Sequence, residues 1–189
     1  MADDIDRDGI VFDVQDIPCT FDRHSPLADT LELWKNWADG RAAPTWRDVD
    51  LMQLPSTLAP QTLVVDVIDG GRDYRYRYWG TMYTDQFGFD DTGNLLSNSV
   101  GPNFIQTARE QLRKVVDDAK PHAFDVAIRA PRTGLLQTKI NLRLPIMDEP
   151  SVVSKVITVS IFNQTTREDT ARLREAFMDS LRSRLPRVK

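Results

Sequence analysis

Few residues of this 189-residue chain carry reactive chemistry, and their positions limit what they can do. It has one cysteine, Cys19, and two histidines, His24 and His122, well separated along the sequence. A nucleophile–base pair would depend on folding to assemble it, and a single cysteine excludes an internal disulfide or a multi-cysteine metal site. There is no G-x-G-x-x-G, P-loop or H-E-x-x-H, and no G-x-S-x-G elbow. Asp4-Ile5-Asp6-Arg7-Asp8-Gly9 copies the opening of a calcium loop, with Val11 at its eighth place. Gln15 stands where a bidentate Glu belongs, and no helix can precede residue 4, so no metal is expected.

Arg77 is the most informative polar residue. It sits in a strand-like run, Asp73 to Trp79, where periodicity places Tyr74, Tyr76 and Tyr78 on one face and Arg75, Arg77 and Trp79 on the other. A guanidinium buried on a sheet needs a carboxylate or an anionic ligand. Arg77 is then either an anion-binding residue or a fork paired with Asp48 or Asp50 that pins the preceding segment to the sheet. The second reading is favoured, because that carboxylate pair offers bidentate geometry without a ligand.

The elements that must position these residues are legible from periodicity. In the head, Ile10, Phe12 and Val14 alternate as in a short strand that docks on the body. Ser25-Pro26 opens a helix whose apolar face is Leu27, Leu31, Trp34 and Ala38, with Gly40 placed to end it. A shorter helical stretch spans about Trp46 to Leu54. Strands follow from Gln61, turn at Asp69-Gly70-Gly71, and return over Asp73–Trp79. A short helix is expected around Met82–Phe87, and a longer one from Pro102 to Lys120. Three strands come next: one on Phe124, Val126 and Ile128, one on Ile140, Leu142, Leu144 and Ile146, and one from Val152 to Phe162. Pro131-Arg132-Thr133-Gly134 is the turn between the first two. A terminal helix carries Leu173, Phe177 and Leu181 at i, i+4, i+8. The expected architecture is α+β, a five-stranded antiparallel sheet with helices on one face, an N-terminal helical extension and a C-terminal helix.

Composition agrees with a folded domain. Hydrophobic residues make 41% and charged residues 28% of the chain, and no apolar run is long enough to span a bilayer. The net charge of -4 is unevenly spread. Residues 1–22 hold seven Asp and one Arg, whereas residues 165–189 hold seven Arg or Lys against four acids. The chain therefore divides into an acidic tail (1–22), a helical entry region (23–60), a core (61–164) and an amphipathic helix (165–189). An acidic total, without basic residues alternating with aromatics, opposes nucleic-acid binding.

Tyr74-Arg75-Tyr76-Arg77-Tyr78-Trp79-Gly80-Thr81, Phe87-Gly88-Phe89 and Thr92-Gly93 resemble the "Y-R-x-x-G-T … F-G … T-G" core of a family of bacterial, mostly alphaproteobacterial, stand-alone PAS-domain proteins. Trp34, Trp37, Pro44, Arg47, Asp48, Asp50, Leu54 and Pro60 are similar to that family's preceding segment. The resemblance covers roughly residues 27–164 and implies a sensory or interaction module with a pocket between sheet and helices. It places Tyr76, Arg77, Tyr78, Tyr83, Phe87 and Phe104 as candidate ligand-binding residues. No cofactor is expected: Cys19 lies before any core element, where flavin photochemistry has no use for it, and residues 102–120 contain no haem-ligating histidine. His122 is expected at the surface.

The terminal helix has three readings: folded back on the sheet, paired with a second copy, or lying on an anionic membrane. Its four acids weaken the last, and a homodimer is expected. The functional expectation is a non-enzymatic, cytoplasmic signalling module that binds a small ligand, a partner protein or both. With 189 residues leaving no room for an output domain, it is expected to act in trans. The alternative is a small α+β enzyme of the ketosteroid-isomerase type, which needs a carboxylate base opposite a Tyr.

Overall fold

The computed structural model describes residues 10–99, 101–130, 135–163 and 166–184. The calcium-like run at 4–9 and the turn at 131–134 lie outside them. Six strands form one antiparallel sheet: β1 (Val11–Ile17), β2 (Thr62–Ile68), β3 (Asp73–Trp79), β4 (His122–Ala130), β5 (Leu135–Ile146) and β6 (Lys155–Phe162). Their spatial order is β1-β4-β5-β6-β2-β3. The α-helices are α1 (Pro26–Ala38), α2 (Thr81–Phe87), α3 (Pro102–Asp118) and α4 (Arg167–Arg184). This is an α+β fold built on one antiparallel sheet, as the sequence led one to expect. The expected helix at 46–54 is two single turns of tighter helix, Trp46–Asp48 and Leu51–Gln53.

Two features depart from the expected five strands with helices on one face. The first is the head segment, which joins the sheet as a sixth strand. β1 pairs with β4 from Val11↔Arg129 to Ile17↔Ala123. Its acids find cations there: Asp13 accepts from Arg129 Nε at 2.7 Å, and Asp16 accepts from Lys114 of α3. Those charges also keep the outer edge of β1 polar, which discourages further strand addition.

The second is that both faces of the sheet are covered. Along β5, Asn141 and Arg143 donate to Gln111 of α3, so the odd-numbered residues face that helix. Strand alternation then sends Leu142, Leu144 and Ile146 to the opposite face. All three are fully buried there, on the side where α1 lies against β5. α1 starts with the Ser25 side chain accepting from the Ala28 amide, and its Trp34 Nε1 donates to the Pro145 carbonyl at 2.9 Å. The entry region continues along the end of β5. There the Trp46 amide donates to Asp148 Oδ1 at 2.8 Å, and the Met147 amide to Pro44 O at 2.9 Å. Burial works against ionisation of Asp148, but hydrogen bonds from Lys155, the Trp46 amide and Ser154 outweigh it and hold the carboxyl down to about 2.

β3 does not keep strict alternation. Val65 pairs with Tyr76 and Val64 with Tyr78, leaving Arg77 without an opposite residue in a β-bulge. The extra residue flips the parity of the rest of the strand, so Trp79 joins Tyr74 and Tyr76 on the buried side. Tyr78 goes the other way, where its hydroxyl donates to the Ala59 carbonyl at 3.0 Å. The strand ends at Gly80 for a steric reason. A Cβ there would stand 2.3 Å from the Pro60 carbonyl oxygen and 2.7 Å from that of Thr62. Only glycine lets these backbone segments approach so closely.

α4 folds back on its own chain. Leu173 and Phe177 are fully buried, α4 packs on α2, and the Phe177 ring centroid lies 4.8 Å from that of Phe87. Arg174 donates to the carbonyl of Asp85 in α2. Pairing with a second copy through the same stripe would require these side chains to leave the interior.

Candidate functional site

Between the sheet and α3 lies a cavity of about 30 Å³, room for roughly two water molecules. Its apolar wall includes Phe12 of β1, Phe104, Ala108 and Leu112 of α3, and Val126 of β4. The opposite wall is polar. Lys139, Asn141 and Arg143 project from successive inward positions of β5, beside Thr158 of β6 and Gln111 of α3. Tyr76 and Tyr83 complete that side.

These polar groups form a connected network. Arg143 Nε donates to Gln111 Oε1 at 3.1 Å, and its Nη1 donates to Thr158 Oγ1 at 2.8 Å. Asn141 Nδ2 donates to the same Gln111 oxygen at 3.1 Å, while its Oδ1 accepts from Ser160 at 2.6 Å. The Ser160 and Tyr83 hydroxyls share a hydrogen bond of 2.5 Å. Burial pushes the Tyr83 hydroxyl up to about 12, against the opposing effect of Ser160 and Arg143. The network fixes its members in one arrangement, since a buried polar group left unpaired is costly.

The two cations are the unusual part. Arg143 and Lys139 are each only 6% exposed, and among the described residues neither forms an ion pair with a carboxylate. The Lys139 ammonium is instead surrounded by rings, 5.0 Å from the centroid of Tyr83, 5.2 Å from Phe162 and 5.4 Å from Phe87. Ring faces attract a cation, though they neutralise none of its charge. Burial, and then the charge of nearby Arg143, bring the Lys139 ammonium down to about 7. Burial also lowers the Arg143 guanidinium from its ordinary value. Charged groups nine-tenths buried in this way are ordinarily paired.

The sequence-derived candidates are divided by this geometry. Tyr76, Tyr83 and Phe104 line the cavity. Phe87 is fully buried behind it, in contact with the Lys139 charge. Tyr78 and Arg77 lie elsewhere. Arg77 is half-exposed and makes a bidentate pair with Asp66 across the β2–β3 hairpin, at 2.8 and 3.0 Å. The Asp66 hydrogen bonds raise its guanidinium above the ordinary value. Neither Asp48 nor Asp50 is its partner. Asp48 caps its own turn from Thr45 and pairs with Arg41, and Asp50 accepts from the Met52 amide. Arg77 keeps the outward face it shares with Arg75, and Asp66, the residue opposite Arg75, offers its carboxylate there. His122 is not a surface residue. It is half-buried, stacked on Phe124, with Nε2 2.8 Å from Asp118. Burial lowers its imidazole despite that carboxylate.

Lys139, Asn141, Arg143, Gln111 and Thr158 are absent from the sequence-derived set. Their signal was present and pointed the wrong way. Gln137, Lys139, Asn141 and Arg143 alternate with Leu136, Ile140, Leu142 and Leu144, a pattern that reads as polar residues facing water.

No protein-family model matches the chain, and no curated protein matches it. Solved structures do. The chain is similar to a light-oxygen-voltage domain studied with a flavin analogue (14% identity over 65% of this chain and 86% of that one, TM-score 0.39). It is also similar to a fungal light-oxygen-voltage domain photoreceptor, at 16% identity over 74% and 95% of the two chains, with a TM-score of 0.41. A sensory box histidine kinase/response regulator from Burkholderia thailandensis matches at 12% identity over 71% and 99%, with a TM-score of 0.38. At these values the site has to be read from the chain's own residues.

An organic cofactor of flavin size does not fit the residues present. The cavity is about 30 Å³, against the several hundred of a pocket for an organic cofactor. The thiol of Cys19 is not part of its lining, and burial raises that thiol above its ordinary value, which disfavours the reactive thiolate.

Proposed function

We propose that this chain is a non-enzymatic sensory module of the PAS type that binds a small ligand in the cavity between β5 and α3 and signals through contact with a partner protein. The observation that carries this reading is the polar wall of that cavity. Asn141 and Arg143 are held by a hydrogen-bonded network and Lys139 by three rings, and the two cations bear charge that no carboxylate among the described residues neutralises. Structural stability alone does not favour such an arrangement, since apolar residues of similar volume usually serve a core as well or better. A wall of fixed donors opposite an apolar wall is the composition of a ligand site.

The alternative enzyme needs a carboxylate base in the cavity. The residues lining it are apolar, neutral polar, phenolic or cationic, and none is acidic. That favours binding over proton abstraction. The reading extends the family resemblance to a bacterial, cytoplasmic protein acting in trans, in which a homodimer would have to use a surface other than the buried stripe of α4.

Native mass spectrometry of the purified protein, combined with resonance shifts of Tyr76, Tyr83 and Arg143 on titration with fractionated cell extract, tests the reading. A retained small molecule, or shifts confined to the cavity, is the expected result. Turnover of ketone or epoxide substrates with no retained ligand would overturn it.

A further inference from the structure

The cavity's two walls differ in kind, and that difference defines a ligand. Arg143 uses Nε and Nη1 on neutral acceptors, and among the described residues its Nη2 makes no hydrogen bond. Lys139 stands four residues along the same strand, on the same face, and among the described residues its ammonium is held by rings alone. Asn141 lies between them and spends its amide on Gln111. The remaining donor capacity of the wall is therefore cationic, and both residues that hold it line the same cavity. Opposite stand the hydrocarbon surfaces of Phe104, Ala108, Leu112 and Val126.

We infer that the cavity takes a small monocarboxylate with a short apolar chain, its carboxylate seated between Arg143 and Lys139 and its hydrocarbon end against α3 and β4. This assignment rests on the ligand-binding reading above and names the class of ligand. A carboxylate supplies the acceptors that the guanidinium lacks and neutralises charge that the sheet leaves uncompensated. Size sets the rest. A cavity of about 30 Å³ suits a few non-hydrogen atoms and excludes nucleotides and aromatic cofactors. An inorganic anion would meet the same cations and leave the apolar wall unused, so a hydrocarbon chain separates the two sources.

The test is a titration of the full-length protein at neutral pH, in a buffer without carboxylates, followed by calorimetry and by thermal melting. The probes are sodium acetate, propionate and butyrate, the matching amides, and sodium chloride and phosphate. The expected result is that carboxylates bind, with acetate or propionate above butyrate because the space is small, while the amides bind at least tenfold more weakly. Lys139→Met and Arg143→Gln should each weaken carboxylate binding tenfold or more. Arg143→Gln removes a network member and its fold is checked by circular dichroism; if it unfolds, Lys139→Met alone carries the test. Equal binding of amide and carboxylate would overturn the assignment, as would unchanged affinity in a folded Lys139→Met. Binding of chloride or phosphate as tight as propionate would overturn the hydrocarbon part. A neutral molecule retained in the cavity would overturn the anion assignment and leave the ligand-binding reading standing. Cavity resonances unmoved by carboxylates, amides and cell extract alike would overturn both.

Discussion

Lys139 sets the first expectation at the scale of single residues. Its ammonium titrates near 7 in the folded chain and near 10.5 when exposed. Between those values the unfolded chain holds a proton that the folded chain has released, so this group makes stability rise with pH. Below about 7 the full cost of a buried charge is present. Lys139→Met should therefore melt higher than the parent at pH 6, by about 1–4 kcal/mol, and the gap should narrow steadily toward pH 10. Thermal melts across that range check it; a gap that widens with pH would contradict the assignment of cause. Arg77 should behave in the opposite manner to a site residue. Its pair with Asp66 is 45% and 21% exposed, so Arg77→Ala should cost no more than about 1 kcal/mol in urea unfolding and leave cavity resonances in place. Gly80→Ala should do far more damage. Its methyl would collide with two backbone carbonyls that cannot give way, and a loss above about 2 kcal/mol is expected in the same assay.

At the scale of elements, the positions of strands and helices are set closely by periodicity and punctuation. β3 runs from Asp73 to Trp79 as read, and α3 opens at Pro102. Single-residue irregularities inside elements are less visible. The bulge at Arg77 has no marker in its own sequence, because it arises from how β2 and β3 register against each other. The resemblance, not periodicity, made Arg77 and Tyr78 pocket candidates, and neither lines the cavity. α4 carries a different lesson. Its stripe of Leu173 and Phe177 marks a face to be buried without naming the partner, and the partner is the Phe87 and Phe104 cluster of its own chain. Phe177→Ala should cost about 3–5 kcal/mol, and hydrogen exchange should show α4 amides losing protection before those of β5. Equal protection of the two elements in that variant would show that α4 does not depend on this anchor.

For the molecule as a whole, β1 links the head to the site. It covers the edge of β4, and Phe12 reaches the cavity and lies 6.1 Å from the Phe104 ring. Removal of residues 1–18 should open one end of the cavity and expose the β4 edge, with self-association visible by light scattering at concentrations where the full chain stays monodisperse. An unchanged particle size would show that the edge is protected by something else.

By itself the sequence determined the positions and order of the elements and the α+β class, while Tyr76, Tyr83 and Phe104, which line the cavity, were singled out by the family resemblance. The elements depend on local periodicity and turn chemistry, which a short window of residues contains. Only the tertiary structure decided which side of β5 lines the cavity. An alternation of period two separates two faces without saying which is dry, and the apolar face reads as the inner one. Here α1 and the entry region cover that apolar face while α3 covers the other, so both are buried and the polar set becomes a cavity wall. Lys139 and Arg143 have the look of surface residues in the sequence. The packing of α3 over Arg143 and of the α2 rings over Lys139 removed the water, and with it the screening that would have made their charge unimportant.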